Sequence, residues 1–337
     1  MKKKSMIFNL VGVILCGLTA PAAADFCGQN VTDCCEWSVL DGKMTLGADW
    51  LYWKVQQDGV LPGSIVVNSD PTIVPPTKFT HGVRPHFKYD SGFRLNLGYE
   101  LPCDCWDVNL AYTYIPSHAK TTTFTAESTL ENFVPVSAIS TPTQLLDSAS
   151  FASKWDLTLN NIDLDIGRTV CFGECLNVRP HIGFRATWFD QKFRSAAATF
   201  TTRLFNAGVV REKFQGYGVE GGLWADWKLG YGVSLVGHFG GSILYSKFEV
   251  HGESVSGILS TDGVFTTDTV EFSSDSFYSA TPTVDYFVGL QYADSFCDML
   301  FKAHIGWEQH VMFDTNRYLS TGNLSGQGLT LGLDVGF

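Results

Sequence analysis

The sequence predicts an all-β fold: a transmembrane antiparallel up-and-down β-barrel of about ten strands, or of twelve or more if the loops hide further hairpins. Three observations carry the prediction. Apolar and polar residues alternate with period two over segments longer than ordinary strands. Short and long connections alternate between those segments. A secretory leader precedes them all.

The leader occupies residues 1–24. Lys2, Lys3 and Lys4 form a positive n-region, Met6 to Leu18 is mostly apolar, and Ala22, Ala23 and Ala24 offer a cleavage site before Asp25. A lipoprotein leader ending at Cys16 is the competing reading; Leu15 is bulky where such leaders carry a small residue. Residues 25–42 then form a cysteine-containing periplasmic segment, and residues 43–337 the barrel. Without the leader lysines, 20 basic residues face 34 acidic ones, a balance of −14 that argues against nucleic acid as a partner. No mature stretch approaches the ~20 apolar residues of a membrane helix. Aromatics at 14%, 33 glycines and only 17% charge fit an exported β protein, and a membrane barrel best of all.

The strands follow in order. The first spans 43–55. In 86–101, Phe87, Tyr89, Phe93, Leu95, Leu97, Tyr99 and Leu101 oppose His86, Lys88, Asp90, Arg94, Asn96, Gly98 and Glu100. In 105–116, Trp106, Val108, Leu110, Tyr112 and Tyr114 fill one face. In 154–169 the apolar face changes parity, from Leu157 and Leu159 to Ile162, Leu164 and Ile166, so a bulge is expected near Asn160-Asn161. In 176–190 the apolar face includes Ile182, Phe184, Ala186 and Trp188; Pro180 is a weak point for pairing. Strands at 213–228, 231–246 and 281–293 come next. In 299–312, Met299, Phe301, Ala303, Ile305, Trp307 and Val311 oppose Lys302, His304, Gly306, Glu308 and His310. The last strand, 327–337, alternates Leu329, Leu331, Leu333, Val335 and Phe337 with Thr330, Gly332, Asp334 and Gly336. Most of these segments match the ~9–11 residues that cross a bilayer while tilted.

Short connections lie near 102–104, 170–175, 229–230 and 294–298, and long ones at 56–85, 117–153, 191–212, 247–280 and 313–326. Short turns are periplasmic and long loops extracellular in outer-membrane barrels. The segment 192–212 has room for one more hairpin. Trp50, Tyr52, Tyr99, Trp106, Trp155, Trp188, Trp227, Tyr231 and Tyr292 fall near strand ends, as girdle residues do. A terminal alternating strand ending in Phe337 fits an assembly signal for the outer-membrane insertion machinery. A soluble β-sandwich explains the alternation but not the strand lengths or the loop asymmetry.

Eight cysteines remain after Cys16: Cys27, Cys34, Cys35, Cys103, Cys105, Cys171, Cys175 and Cys297. Export favours disulfides, within the barrel or between chains. Zinc and free thiols compete, but Cys103-Asp-Cys105 is too tight for the usual zinc spacer. All eight fall on the predicted periplasmic side.

The predicted lumen holds Lys88, Asp90, Arg94, Glu100, Asp107, Arg179, His181, Arg185, Lys302, His304, Glu308 and Asp334 as pore-lining candidates, with Lys154 and Asp156 on the same face. With Asp49, Asp163, Asp165, Glu220, Asp226 and Asp285 also on lumen-side positions, twelve acids face six bases, which predicts a weak cation preference. Gly216, Gly218 and Gly222 are expected to widen a passage that ten strands leave narrow. His304, Glu308 and His310 share a strand face; a polar lumen lining explains them, and no metal or cofactor is assigned. There is no HExxH, no G-x-S-x-G and no P-loop, so no catalytic residue is assigned and the protein is read as no enzyme.

Several stretches, in order along nearly the whole mature chain, resemble one family: "LGADWLYWKV" (46–55), "SGFRLNLGYELPCDCWDVNLAYTYI" (91–115), "VRPHIGFRATWFDQKF" (178–193), "YGVEGGLWADWKLGYGVSLVGHFGGSILYSKF" (217–248) and "FKAHIGWEQHVMF" (301–313). They are similar to the Legionella-type pore-forming major outer membrane proteins, and most of all to the versions from chlamydia-like intracellular bacteria. The resemblance implies an abundant, surface-exposed outer-membrane porin that passes small hydrophilic solutes or ions. It also implies cysteine cross-linking to other cysteine-rich envelope proteins. Expected partners are the outer-membrane lipid bilayer, the assembly machinery and further copies of the chain. The alternative is a structural or adhesive barrel that stiffens the envelope and shows its loops to host cells.

Overall fold

The computed structural model describes residues 43–59, 63–68, 78–83, 85–101, 105–121, 124–125, 131–135, 146–147, 149–173, 175–199, 204–259, 265–296, 299–317 and 322–337. The predicted leader, the segment 25–42 and five cysteines (Cys27, Cys34, Cys35, Cys103 and Cys297) lie outside them.

Ten long strands form the wall: β1 (Lys43–Gln57), β2 (Tyr89–Glu100), β3 (Trp106–Lys120), β4 (Ala149–Arg168), β5 (Leu176–Thr199), β6 (Leu204–Gly230), β7 (Val233–Leu259), β8 (Phe277–Phe296), β9 (Met299–Asn316) and β10 (Gly322–Gly336). Each pairs antiparallel with its sequence neighbours, and β1 pairs with β10 from Thr45↔Gly336 to Gln57↔Leu324, which closes the barrel. The last residue, Phe337, exchanges both backbone hydrogen bonds with Met44, at 2.9 and 3.0 Å. Closure leaves the wall with no edge strand, a condition for standing in lipid. Segments 86–87, 124–125, 170–172 and 265–273 add to the wall, and 63–68, 78–83, 131–135 and 146–147 form a separate four-stranded sheet. Among the described residues no helix is long and apolar enough to cross a membrane.

All ten predicted strands are present, but several run far beyond their predicted upper ends. β6 and β7 are 27 residues each. Among its described residues the segment 192–212 holds no extra hairpin; they continue β5 and β6, paired from Lys192↔Arg211 to Ala198↔Phe205. Much of the predicted loop 247–280 is likewise strand, with 251–259 paired to 265–273.

The physical reason is a reversal of sidedness. On β6 the outward face runs upward as Leu229, Trp227, Leu223, Val219 and Tyr217, then Gln215, Lys213 and Arg211. On β7 it runs Leu235, Phe239, Ile243 and Tyr245, then Lys247, Glu249 and His251. The inward face does the opposite. On β9 it passes from Lys302, His304 and Glu308 to Met312; on β1 it passes from Asp49 to Leu51, Trp53 and Val55. From Tyr217 to Trp227 the strand spans about 33 Å at 3.3 Å per residue, or about 25 Å in height at the usual tilt. That is the height of the apolar band of an outer-membrane barrel. The bilayer therefore covers the lower storey, from Tyr217 to Leu229 on β6, and the upper storey stands above it.

The same reversal corrects the expected bulge in β4. Pairing is unbroken from Ala149↔Thr199 to Gly167↔His181, and from Lys154↔Lys120 to Arg168↔Trp106. Leu157 and Leu159 point into the upper interior, while Leu164 and Ile166 point out to lipid. The surroundings change between them, not the register. By the same parity Lys154 and Asp156 face outward, paired at 2.8 Å, and do not line the lumen. Pro180 is tolerated where the ladder from β5 toward β4 ends, between Gly167↔His181 and Val170↔Val178.

At the lower rim β6 and β7 are joined by Gly230-Tyr231-Gly232, all three with positive φ of 106°, 52° and 78°. Glycine suits two of these positions because it lacks Cβ. Tyr231 caps the turn, 95% exposed, at the height of the lower girdle.

Candidate functional site

The lower lumen encloses a cavity of about 570 Å³. It runs from the short-turn rim at Glu100, Thr169, Asp226 and Lys302 up to Val55, Ile115, Leu159 and Leu324. Ten of the twelve pore-lining candidates border it: Arg94, Glu100, Asp107, Arg179, His181, Arg185, Lys302, His304, Glu308 and Asp334. The other two do not. Lys88 is exposed and Asp90 accepts a hydrogen bond from the His118 N–H at 2.8 Å, both above the cavity.

Alternation brings these groups inward, and strand closure brings them together in three ion-pair groups. Arg179 on β5 binds Asp107 on β3 and, at 2.5 Å, Asp165 on β4. Arg94 on β2 binds Glu308 on β9 at 2.6 Å and Asp49 on β1 at 3.5 Å. His304 stands between Asp49 at 3.4 Å and Asp334 at 3.6 Å. Arg185 on β5 is the hub of the third group. Its guanidinium meets Asp163 on β4 at 2.6 Å, Asp285 on β8 at 2.8 Å and Glu220 on β6 at 2.9 Å. Asp285 also lies 3.4 Å from His238 and 3.8 Å from His310. One arginine thus ties carboxylates on three different strands, using the fork of donors that only a guanidinium offers.

The three residues His304, Glu308 and His310 do not converge: Glu308 goes to Arg94, His304 to Asp49 and Asp334, and His310 to Asp285. Among the described residues no three His, Cys, Asp or Glu side chains form a group that could hold a metal ion.

The expected widening by glycine is overturned. The space beside Gly222 is taken by the His181 ring, that beside Gly216 by Phe214, and Gly218 lets β7 approach at the Ile243 carbonyl. The glycines admit neighbouring side chains and strands, and leave no void.

Above the cavity the lumen turns dry. Trp155, Phe189, Phe193, Phe214, Phe248, Met312 and Leu324 form one buried cluster. Phe189 and Phe214 stack at 4.6 Å, and Phe248 meets Phe214 edge-on at 5.1 Å. The indole N–H of Trp155 donates to Gln191 at 3.1 Å, so a buried polar atom is satisfied. Trp155, 1% exposed, is therefore a lumen plug residue and not the girdle residue its position suggested. The other girdle aromatics face outward, Trp188 half-buried and on the parity of the exposed Ile182 and Phe184. Tyr217 pairs across the ladder with Tyr245, which stacks on Tyr278 at 5.3 Å.

Sequence reasoning missed the plug, and it missed Trp224, which points inward among lumen charges. Trp224 is 38% exposed, stacks on His238 at 4.4 Å and borders the cavity. The signal was available: Trp224 has the parity of Glu220 and Asp226. At the lower rim, Cys105, Cys171 and Cys175 are disulfide-bonded. The rim is also stitched by backbone bonds from Thr169 N–H to the Cys105 carbonyl at 3.1 Å, and from Lys228 N–H to the Cys175 carbonyl at 2.7 Å.

The chain is similar in structure to several solved proteins. The outer membrane protease OmpT from Escherichia coli is 8% identical, with a TM-score of 0.44, over 92% of this chain and 99% of that one. A major outer membrane protein from Thermus thermophilus is 13% identical, with a TM-score of 0.31, over 88% and 99%. The attachment invasion locus protein Ail of Yersinia pestis is 12% identical, with a TM-score of 0.24, over 88% and 100%. No curated protein matches the sequence. The family described as Legionella pneumophila major outer membrane protein precursor matches residues 38–335, and the chain belongs to that family.

Proposed function

We propose that this outer-membrane barrel is a narrow channel for ions and small hydrophilic solutes, closed at rest by the aromatic plug. The observation that carries the reading is the charged cavity, which runs from the short-turn rim to the underside of the plug. It supplies a polar path through the bilayer for about its whole thickness. Opening requires these close-packed rings to move together, which joins that path to the outside. Carboxylates exceed the cations around the cavity, so the permeant ions are cations.

The second reading is a structural barrel that carries its upper storey to the cell surface and conducts nothing. The dryness of the plug favours it. In either case the bonded cysteines at the lower rim suit a barrel fastened within the periplasmic face of the envelope. The reading assigns no catalysis: the carboxylates of the three ion-pair groups are engaged by arginine or histidine.

Planar bilayer recording separates the two. The channel reading predicts brief, small, cation-selective openings, and a several-fold rise in open time when Phe214→Ala and Trp155→Ala loosen the plug. A folded preparation silent in both forms establishes the structural barrel. A large steady conductance from the native chain removes the plug from the account.

A further inference from the structure

The outward wall just above the lipid band carries a basic patch that the lumen does not explain. The register of β3 to β6 gathers six cations there. Lys120 faces Lys154, which faces Arg194. Lys192 faces Arg211, and Lys213 stands one row below, opposite Asp190. Two acids share the patch. Asp156 is ion-paired with Lys154 at 2.8 Å and accepts from Arg194 at 2.9 Å, and Asp190 is exposed. Glu249, across from Lys213 on β7, is taken by Lys247 at 2.7 Å. His118 and His251 flank the middle row. Among the described residues no ion pair neutralises Lys120, Lys192, Arg211 or Lys213.

Crowding is visible at Lys192. Its ammonium lies below the ordinary lysine value, first through partial desolvation and then through the Arg194 and Arg211 guanidinium groups beside it. Like charges held together in a chain of net charge −11 point to an anionic partner rather than to composition. Position says which kind. Trp188 and Tyr217 lie on the same outward face, four residues below Lys192 and Lys213 respectively. Below them the wall is the apolar surface of Phe184 and Val219. Long basic side chains reach down to a headgroup while their stems lie on the wall.

We propose that this patch binds the phosphorylated headgroup of an outer-leaflet lipid whose acyl chains lie against the apolar wall beneath it. Arg194 and Arg211 present forked donors suited to phosphate oxygens, and the lysines add point charges. A free phosphate satisfies the cations but leaves the wall contact unused.

Native mass spectrometry of the folded full chain in mild detergent tests this, with three probes: diphosphoryl lipid A, dephosphorylated lipid A and inorganic phosphate. The expected result is retention of one diphosphoryl lipid, with at least about tenfold weaker retention of the dephosphorylated form. Lys192→Glu with Arg211→Glu lowers retention by a similar factor, whereas Lys54→Glu, on β1 outside the patch, leaves it unchanged. If charge reversal blocks folding, Lys192→Gln with Arg211→Gln serves and gives a smaller loss. Equal retention of both lipids, or no loss in the folded variants, overturns the proposal. So does inorganic phosphate bound as tightly as the lipid.

Discussion

The lower and upper storeys of the barrel are built from the same ten strands and are opposite in construction. Below Tyr217 the wall is apolar outside and charged inside, with Val219 and Phe239 facing lipid while Glu220 and Asp285 face the lumen. Above it, Lys213 and Lys247 face out while Phe214 and Phe248 are buried. No bulge is needed, because a strand's two faces are independent and each matches the solvent it meets. Outside the lower wall that solvent is hydrocarbon; outside the upper wall it is water. The interior follows: ion pairs hold the lower storey together and ring packing holds the upper one.

That contrast can be broken first at its strongest bond. Arg185→Ala strips the cation from Asp163, Glu220 and Asp285 and leaves buried carboxylates uncompensated, at a cost of about 3–5 kcal/mol. Arg194→Ala removes an exposed pair with Asp156 in the upper storey and costs about 0–1 kcal/mol. Urea unfolding, followed by loss of the compact band on unheated gels, measures both. Equal costs contradict the claim that charge holds only the lower storey.

The boundary itself is tested by one substitution at two heights on β6. Leu223→Arg places a charge at mid-height of the apolar band and lowers folded stability by about 2–4 kcal/mol. Gln215→Arg, eight residues higher on the same face, changes it by less than about 0.5 kcal/mol. If Gln215→Arg is as damaging, the bilayer reaches higher than Tyr217.

The smallest effect sharpens the interior of the upper storey. Glu212 is 2% exposed beside the plug, receiving the Gln191 amide at 2.9 Å and the Arg317 backbone N–H at 3.4 Å. Burial pushes its carboxyl up to about 7, against those two hydrogen bonds and the Arg317 charge. Arg317 is the charged group facing it among the described residues. A raised carboxyl binds its proton more tightly in the folded state. The stability it confers is full below about 4.5 and is lost as pH rises through about 7. Thermal unfolding of the native chain should therefore fall across that window, and Glu212→Gln should flatten the slope. An unchanged slope in the variant places the titration elsewhere.

The lower storey was nearly all legible in the sequence, because lipid outside and charge inside write a long unbroken alternation, as in residues 299–311. The ten-strand count and most lumen residues followed from it. The upper storey was not legible by the same rule. Leu157 and Leu159 have the parity of lumen residues, and a rule that assigns apolar side chains to lipid can accommodate them only by inventing a bulge. Trp155 was placed in the girdle for the same reason. Ending strands where the lipid pattern ended also turned the upper halves of β5, β6 and β7 into loops. The ion-pair partners lay beyond reach as well: Arg94 and Glu308 are 214 residues apart, and only barrel closure brings them together.

Hydroxyl-radical footprinting of the native chain in lipid vesicles, read residue by residue by mass spectrometry, tests the two-storey interior most directly. The account predicts rapid oxidation of Trp224 and His238, which border the charged cavity, and protection of Trp155, Phe189, Phe214 and Phe248 in the buried apolar plug. Oxidation of Trp155 and Phe214 as fast as Trp224 would mean that water fills the upper lumen, and would contradict it.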